Sequence, residues 1–471
     1  MTTAKKKKDF TQGPILLPML LFVLPIMATG ILQVLYNMAD NIVVGQFSGD
    51  PDALGAVGST SSLTNLIINA LMGLAAGSGI VVSHAFGAKN DQLLSKTVHT
   101  GMTFALIGGV AFSLIGIIIA DPVLSLMGTN ADLHEGAVLY TKIICLGIPG
   151  STIFNFGATI LRSIGDSKTP LYILSSTGII NVLLNLVFVI FCKMSIAGVA
   201  TATIIAQYIS AAVIVFILIK RKNEKYALDP RKLGIDFSVL KRILRFGVPA
   251  SIQSSVFSIS NIIITSGINT LPKTAISAKT IAGNIEGLLY TALNSYMHAS
   301  LTFVGQNYGA KQPERIKKSI LCAVGQVVTI GLSIALIMTL FAEPLALMYI
   351  DPADPSLSEV LAYTVELMNM MLVSYVLCGI MEALAGCLRG LGYSIIPMMV
   401  NLILTCGGRI VWVLWFFPMP VFNSLLGMFY IYPISWITAI MAHSLVLLTS
   451  KKLKKETTPS VTQNTDQTQN A

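Results

Sequence analysis

The sequence has 471 residues, of which 54% are hydrophobic and only 11% are charged, whereas soluble globular proteins carry about 25% charged residues. Its mean hydropathy is +0.74 and its net charge is +9. This composition leaves no room for a soluble domain apart from a polar C-terminal tail, so it argues against an enzyme with a water-facing catalytic domain. It predicts an all-α polytopic membrane protein.

Apolar runs follow one another along the whole chain, and each is long enough to cross a hydrocarbon layer of roughly 30 Å as a helix. They predict twelve transmembrane helices. The short alternating segments typical of a membrane β-barrel are absent from the sequence. The runs are 15–47, 53–81, 98–120, 136–160, 170–192, 195–219, 238–270, 275–304, 319–342, 360–387, 395–417 and 425–449.

The positive charges indicate how the helices are oriented. When the connections are numbered alternately from the N-terminus, 26 of the 31 Lys and Arg residues fall in one set. Cytoplasmic loops carry such an excess, so we expect a multi-pass protein of the plasma membrane with both termini cytoplasmic. The same dispersal over short loops explains the net charge, and we expect no nucleic-acid partner.

Internal repeats divide the chain into two homologous halves. The segment HAFGAKND (84–91) matches QNYGAKQP (306–313) at an offset of 222 residues, and LPIMATGILQVLYN (24–37) matches VPASIQSSVFSISN (248–261) at 224. LRSIGDSKTP and LRGLGYSIIP form a third pair. Two six-helix lobes of this kind are related by an axis along the membrane normal and enclose a central cleft, an arrangement that suits alternating access.

These repeats predict the domain limits. We expect a cytoplasmic N-terminal segment, an N-terminal lobe, a basic cytoplasmic linker, a C-terminal lobe and a disordered polar tail. Their ranges are 1–14, 15–219, 220–237, 238–450 and 451–471.

The stretch VLYNMADNIVVGQF in the first span contains an aspartate, which is costly within a membrane. Asn37, Asp40 and Asn41 share one helical patch, with Tyr36 at its edge. Pro25 lies earlier in the span and can act as a hinge. Two readings stay open: Asp40 ties helices together, or it is a titratable or cation-binding carboxylate whose charge changes with the hydration of the cleft.

The second half has its own charges within the predicted spans. Glu286 lies in the eighth span, Glu382 in the tenth and Arg409 in the eleventh. Because a buried Arg usually has a carboxylate partner, Glu382 is the candidate partner of Arg409, and this pair could be purely structural. Glu286 is the candidate for receiving a cationic substrate or a second ion.

The six cysteines lie mostly in or beside apolar runs, and no pair has CxxC spacing. We therefore expect them to pack as small hydrophobic residues, and we expect neither a cofactor nor a structural metal site.

The motifs LYNMADNIVVGQF, GAK, LRSIGDSKTP, FVGQNYGAK and LRGLGYSIIP together resemble the multidrug and toxic compound extrusion (MATE) transporters, in particular the DNA-damage-inducible-F-like and Gram-positive bacterial branch. The resemblance covers about 10–450. It implies export of organic, often cationic compounds, driven by a proton or sodium gradient.

The resemblance also implies roles for residues of the first and fifth spans. Asp40 matches the carboxylate thought to couple the cation, with Tyr36 beside it and Pro25 at a bend. Asn181 and Asn185 stand four residues apart in the fifth span. Some relatives have an acid at the second position, and here it is Asn185. An acid that some members carry in the seventh span is absent between 237 and 268.

These observations predict a cation-coupled secondary antiporter, with H⁺ favoured over Na⁺ as the coupling ion, which exports amphiphilic organic compounds as a monomer in the lipid bilayer. One alternative is a lipid-linked oligosaccharide flippase of the same superfamily, which would need several Arg or Lys residues within its spans. Another is a passive channel or a non-transporting receptor, which would not need repeated halves around a switchable carboxylate.

Overall fold

The structure, a computed structural model, describes residues 9–49, 51–350 and 355–454. All regular secondary structure within these ranges is helical. Most of the predicted N-terminal segment 1–14 and of the predicted tail 451–471 lies outside the described residues. The part of the tail that is described, Lys451–Lys454, forms one helical turn.

Twelve long helices cross the described bundle. Those of the first half are α1 (Leu16–Phe47), α2 (Ala53–Gly87), α3 (Asp91–Leu126), α4 (Ala131–Ser163), α5 (Lys168–Phe191) and α6 (Ser195–Lys220). Those of the second half are α7 (Phe237–Ile268), α8 (Lys273–Gly309), α9 (Pro313–Leu340), α10 (Leu357–Gly390), α11 (Ile395–Phe416) and α12 (Leu425–Thr449). Several extend beyond the predicted apolar runs, because a helix continues into its polar flanks.

Eleven of the twelve helices are apolar and long enough to span a membrane, as judged over the described residues. The exception is α8, which carries Lys279, Glu286, Asn294 and His298. Much of α8 is buried inside the protein, packed against α10, α9 and α2. Its polar residues therefore face the centre of the protein instead of lipid, which explains why its composition is less apolar.

The helices form two six-helix lobes, α1–α6 and α7–α12, which meet mainly where α2 packs against α7 and α8 and where α1 packs against α8. At one end of the bundle the lobes are closed. A side chain at Gly87 would collide with the backbone of Gln306, His84 Nε2 lies 2.7 Å from the carbonyl oxygen of Gly390, and Gln306 Nε2 donates to the Ser163 carbonyl oxygen at 2.8 Å.

The N-terminal segment strengthens this closed end. Phe10 stacks on Phe303 with ring centroids 3.9 Å apart, and its backbone N–H donates to Gln306 Oε1 at 3.2 Å. Both described chain ends and the loops after α2 and α8 lie at this end. Deeper in the protein a cavity lies between α2 and the second lobe. The structure is therefore closed at the end that carries the first and last described residues.

The predicted basic linker 220–237 packs on the first lobe. Arg221 Nη2 lies 2.8 Å from Asp166 Oδ2, and Lys96 Nζ lies 3.0 Å from Asp236 Oδ2. The backbone N–H of Asp229 donates to His99 Nε2 at 3.0 Å. These contacts fix the path of the chain between α6 and the start of α7.

Candidate functional site

Asp40 lies half-buried in α1 and faces α5 and α6. Its Oδ1 accepts a hydrogen bond from Asn185 Nδ2 at 2.5 Å, and its Oδ2 accepts one from Thr203 Oγ1 at 3.5 Å. Asn181 Nδ2 donates in turn to Thr203 Oγ1 at 3.3 Å. Within the described ranges no Lys, Arg or His forms an ion pair with Asp40. The carboxylate is thus held by neutral donors from two other helices.

The structure divides the predicted polar patch of α1. Tyr36 OH donates to the Ser175 carbonyl oxygen at 3.2 Å, and its ring packs on Gly178 so closely that a side chain there would overlap the ring. Asn37 and Asn41 are exposed, and among the described residues the hydrogen bonds of Asp40 come from Asn185 and Thr203. The role of Asn37 in cation coupling stays a prediction.

Thr203 is the member of the cluster that the sequence analysis missed. It lies in the apolar run TATII of α6, two residues after Thr201, whose hydroxyl bonds within its own helix to the Ala197 carbonyl oxygen at 2.7 Å. Nothing in the sequence separates these two threonines. Their roles differ because α6 turns Thr203 towards α1.

Pro25 is buried within α1, which continues as one helix from Leu16 to Phe47. A proline has no N–H, so one backbone hydrogen bond of the helix is missing here. The Thr29 hydroxyl donates to the Pro25 carbonyl oxygen at 2.7 Å. The hinge role of Pro25 stays a prediction.

A cavity of about 520 Å³ opens between α2 and the second lobe, a volume in the range of small-molecule sites. Its wall includes a cluster of aromatic side chains, with Trp436 5.2 Å from Tyr375 and 5.5 Å from Tyr432 between ring centroids. Other lining residues are Asn69, Met72, Gln253, Phe257, Asn261, Tyr290, Asn294 and Met297.

Glu286 lines this cavity, and its role in receiving a cationic substrate or a second ion stays a prediction. Its side chain is 3% exposed, and its Oε1 has no hydrogen-bond partner among the described residues. Tyr375 and Lys279 are its closest electrostatic neighbours. The site thus presents a buried carboxylate oxygen that lacks a protein partner.

The expected ion pair between Glu382 and Arg409 is not formed. Arg409 Nη1 donates instead to Asn261 Oδ1 at 3.0 Å, and its guanidinium carbon lies 4.1 Å from the centroid of the Tyr432 ring. The charged residue that acts on Glu382 is Arg389, seven residues later in α10, although the two form no ion pair within 4.0 Å among the described residues. Depth along the helices suggested the wrong pair because it does not report the direction in which each side chain points.

Arg389 is a second site residue that the sequence analysis missed, since it was assigned to a cytoplasmic connection. It is 4% exposed, lines the cavity and donates from Nη2 to Gln253 Oε1 at 2.8 Å. The described cavity wall therefore carries three cationic residues (Lys279, Arg389 and Arg409) and two acids (Glu286 and Glu382).

The described residues contain no group of three or more His, Cys, Asp or Glu side chains that could hold a metal ion. In the first lobe, a coupling cation would be bound by the Asp40 carboxylate with the neighbouring amide and hydroxyl groups.

A family model described as MatE matches the chain twice, over residues 25–187 and 249–414. The two matches begin 224 residues apart, the offset at which the α1 and α7 sequences repeat. Because each match falls within one lobe, they support a duplicated architecture.

Curated relatives carry transporter names. "Probable multidrug resistance protein YoeA" of Bacillus subtilis is 29% identical over 390 residues, which cover 82% of this chain and 83% of the relative. "Probable multidrug resistance protein NorM" of Thermotoga maritima is 25% identical, with 81% of each chain covered. An "FAD transporter" of Shewanella oneidensis is 26% identical, with 71% of this chain and 74% of the relative covered.

Solved structures share the fold. One described as the "Outward-facing conformation of a multidrug resistance MATE family transporter of the MOP superfamily" matches with a TM-score of 0.88 at 21% identity, over 96% of this chain and 99% of that one. A "Crystal structure of MATE in the straight conformation" matches with a TM-score of 0.86 over the same shares. The chain therefore belongs to the MatE family, the multidrug and toxic compound extrusion transporters, and is a multi-pass membrane transporter and not an enzyme.

Proposed function

We propose that this protein is a proton-coupled antiporter that exports amphiphilic organic compounds across the plasma membrane by alternating access. The single observation that carries the proposal is the Asp40 cluster, a carboxylate in a membrane helix held by Asn185 and Thr203 without a cationic partner among the described residues. Protonation of a carboxylate in a permanent ion pair would have to break that pair, whereas protonation of Asp40 breaks no ion pair among the described residues.

Protonation of Asp40 changes the hydrogen bonds around it. In the structure each carboxylate oxygen accepts from one donor, Oδ1 from Asn185 Nδ2 and Oδ2 from Thr203 Oγ1. A protonated oxygen carries an O–H donor that needs an acceptor of its own, so the contacts at that oxygen rearrange. If the proton sits on Oδ2 and points at Thr203, the Thr203 hydroxyl turns its hydrogen away and accepts from both Asp40 and Asn181. The packing of α1 against α5 and α6 therefore depends on the protonation of one residue.

The transport cycle follows from this dependence. With the termini in the cytoplasm, as the positive charges predict, the closed end faces inward and the structure is the outward-facing state. A proton from outside reaches Asp40, α1 shifts against α5 and α6 with Pro25 as the hinge, and the substrate leaves the cavity. Closure on the outside then opens the opposite end, and the proton leaves to the cytoplasm.

H⁺ is favoured over Na⁺ because the neighbours of Asp40 point N–H and O–H donors at the carboxylate, whereas Na⁺ needs oxygen lone pairs. Asn185 Oδ1, which is buried without a partner among the described residues, would have to turn towards the ion. The flippase alternative is not favoured, since the relatives named above are multidrug resistance proteins and an FAD transporter.

The experiment uses purified protein in proteoliposomes, with a pH gradient and a sodium gradient imposed separately. We expect uphill export of ethidium under the pH gradient alone. Export under the sodium gradient alone would contradict the choice of ion, and export under neither gradient would contradict antiport. Appearance of a fluorescent lipid on the far side without ethidium movement would support the flippase.

A further inference from the structure

The guanidinium of Arg409 is deeply buried at the wall of the second-lobe cavity. Its side chain is 1% exposed. It lies beside two aromatic rings, with its central carbon 4.1 Å from the centroid of Tyr432 and 4.7 Å from that of Phe257. Both rings make cation–π contacts with the guanidinium, and the residue lines the cavity.

The N–H groups of this guanidinium have few hydrogen-bond acceptors among the described residues. Nη1 donates to Asn261 Oδ1 at 3.0 Å, whereas Nε has no acceptor among the described residues. No carboxylate in the described chain lies within 4.0 Å of Arg409. Glu286 and Glu382 line the same cavity, and the charged residues that act on them are Lys279 and Arg389 respectively; neither acid forms an ion pair within 4.0 Å among the described residues.

An unpaired buried charge is costly, and proteins normally compensate it with an opposite charge. The acids of the cavity wall form no ion pair with Arg409 within 4.0 Å, which leaves room for a ligand to supply the closer opposite charge. The planar fork of an arginine matches carboxylate and phosphate groups, which accept two parallel hydrogen bonds. An aromatic cage around the fork then favours a ligand whose body is apolar and flat.

We propose that Arg409 binds a carboxylate or phosphate group of the exported compound, and that the substrates include aromatic amphiphiles with one anionic group. This inference deepens the proposed function and rests on it. A positive group on the same molecule finds the free oxygen of Glu286, so zwitterions suit the cavity better than simple cations. The expectation of often cationic substrates came from the family resemblance and did not take the buried Arg389 and Arg409 into account.

The test uses two dyes that differ at one group. Rhodamine 110 carries a free carboxylate, and rhodamine 123 is its methyl ester with the same aromatic body. Their affinities for the purified full-length protein are measured by fluorescence anisotropy at neutral pH. We expect the wild type to bind rhodamine 110 roughly ten- to a hundredfold more tightly, the range for a hydrogen bond to a charged group.

Variants test whether Arg409 is the residue that causes the preference for rhodamine 110. Arg409→Gln should reduce the affinity ratio to about one, and Arg409→Lys should retain part of it because the charge remains without the fork. Glu286→Gln should weaken both dyes and leave the ratio unchanged. Lys142→Gln, which removes an exposed positive charge from α4, is the matched control and should change neither affinity.

A wild type that binds the ester as tightly as the acid would overturn the proposal, as would an Arg409→Gln protein that keeps the acid preference. If Arg409→Gln fails to fold, the ratio of the wild-type affinities for the two dyes still tests whether the acid is preferred. A short-chain phosphatidylglycerol is tested in parallel. If this lipid binds and rhodamine 110 does not, the anion is a lipid headgroup and the proposal fails. Dye binding needs no ion gradient. If the protein prefers the acid but shows no gradient-driven export, only the antiport proposal is contradicted.

Discussion

Asp40 accepts a hydrogen bond at each of its carboxylate oxygens, from Asn185 and from Thr203. Thr203 also accepts from Asn181, so its hydroxyl hydrogen has one free direction and points at Asp40. A proton on Asp40 Oδ2 that points at Thr203 reverses the bond between these two residues, while the Asn181 amide continues to donate to Thr203. The hydroxyl of Thr203 is therefore the group that adapts to the protonation state.

We expect Thr203→Val to impair coupling, because valine has a similar shape but leaves Asp40 without one donor and Asn181 without its acceptor. Such a loss costs about 1–3 kcal/mol for a buried polar group, so the pH at which transport is half-maximal should move. Thr203→Ser keeps the hydroxyl and should behave like the wild type. The measurement is ethidium export against pH in proteoliposomes. Matching profiles for the valine and serine variants would contradict this role.

The sequence predicted part of this cluster. Asp40 stood out because a carboxylate in an apolar run is rare and costly, and the resemblance added Asn181 and Asn185. Thr203 could not be predicted, since its hydroxyl differs from that of Thr201 only in the direction it faces. Asn37 was included from helical spacing, which reports that two residues are neighbours and not that they contact the same partner helix, and its role stays a prediction.

Helix α5 lies close to α1 because Gly178 leaves room for the Tyr36 ring. We expect Gly178→Ala to overpack this contact and to destabilise the protein by about 1–3 kcal/mol. The matched control is Gly58→Ala in α2, where an added Cβ would meet nothing within 4 Å. Thermal unfolding in detergent checks the difference. Equal melting temperatures for the two variants would show that the contact carries no such constraint.

The start of α7 depends on a helix cap at the surface. Asp236 Oδ1 accepts from the backbone N–H of Ser238 at 3.0 Å and of Val239 at 3.2 Å, and Oδ2 pairs with Lys96. The hydrogen bond from the Ser238 hydroxyl, followed by Lys96, holds the pKa of Asp236 well below its usual range. The cap thus links the linker, α3 and α7.

We expect Asp236→Ala to lower the melting temperature by a few degrees, because the first N–H groups of α7 lose their acceptor. Asp236→Asn keeps the cap and should lose less. A carboxyl whose pKa is depressed by folding stabilises the folded state above its unfolded pKa, about 3.9. The deficit of the alanine variant should therefore be full at neutral pH and shrink as the pH falls below about 4. A deficit that grew on acidification would contradict this account.

At the scale of the molecule, the two lobes pack most tightly where α2 meets the second lobe. Gly87 lies against the backbone of Gln306, and both residues belong to the repeated GAK segments at the closed end. Alternating access requires this contact to separate when the opposite end closes. A residue with no side chain allows the close approach without linking the lobes permanently.

We expect Gly87→Ala to shift the protein away from the closed state at this end, because a Cβ would force the lobes apart there. Spin labels at Gln92 and Glu314, both exposed beside the contact, report the distance by pulsed electron spin resonance. The distribution of distances between the two labels should contain a larger long-distance population in the variant than in the wild type. Gly108→Ala, where an added Cβ makes ordinary contacts, is the control. Identical distributions in all three proteins would refute the argument.

The global architecture was the most predictable part. Twelve helices and a duplication near 224 residues follow from hydropathy and repeated motifs, and the family model begins its two matches at that same offset. Helix α8 shows where composition alone fails, since its polar residues face the protein centre. The contacts of Arg389 with Gln253 and of Arg409 with Asn261 could not be predicted from the sequence either. They depend on how α7, α10 and α11 turn towards the cavity.

The most direct test of the account measures proton movement during substrate transport. Proteoliposomes that contain a trapped pH-sensitive dye receive ethidium from one side, and proton flux is followed together with ethidium flux. We predict that ethidium export by the wild type drives protons in the opposite direction and that Asp40→Asn abolishes this coupled flux while the variant still folds. Drug-driven proton flux that is unchanged in Asp40→Asn would contradict the role of this carboxylate and, with it, the mechanism proposed here.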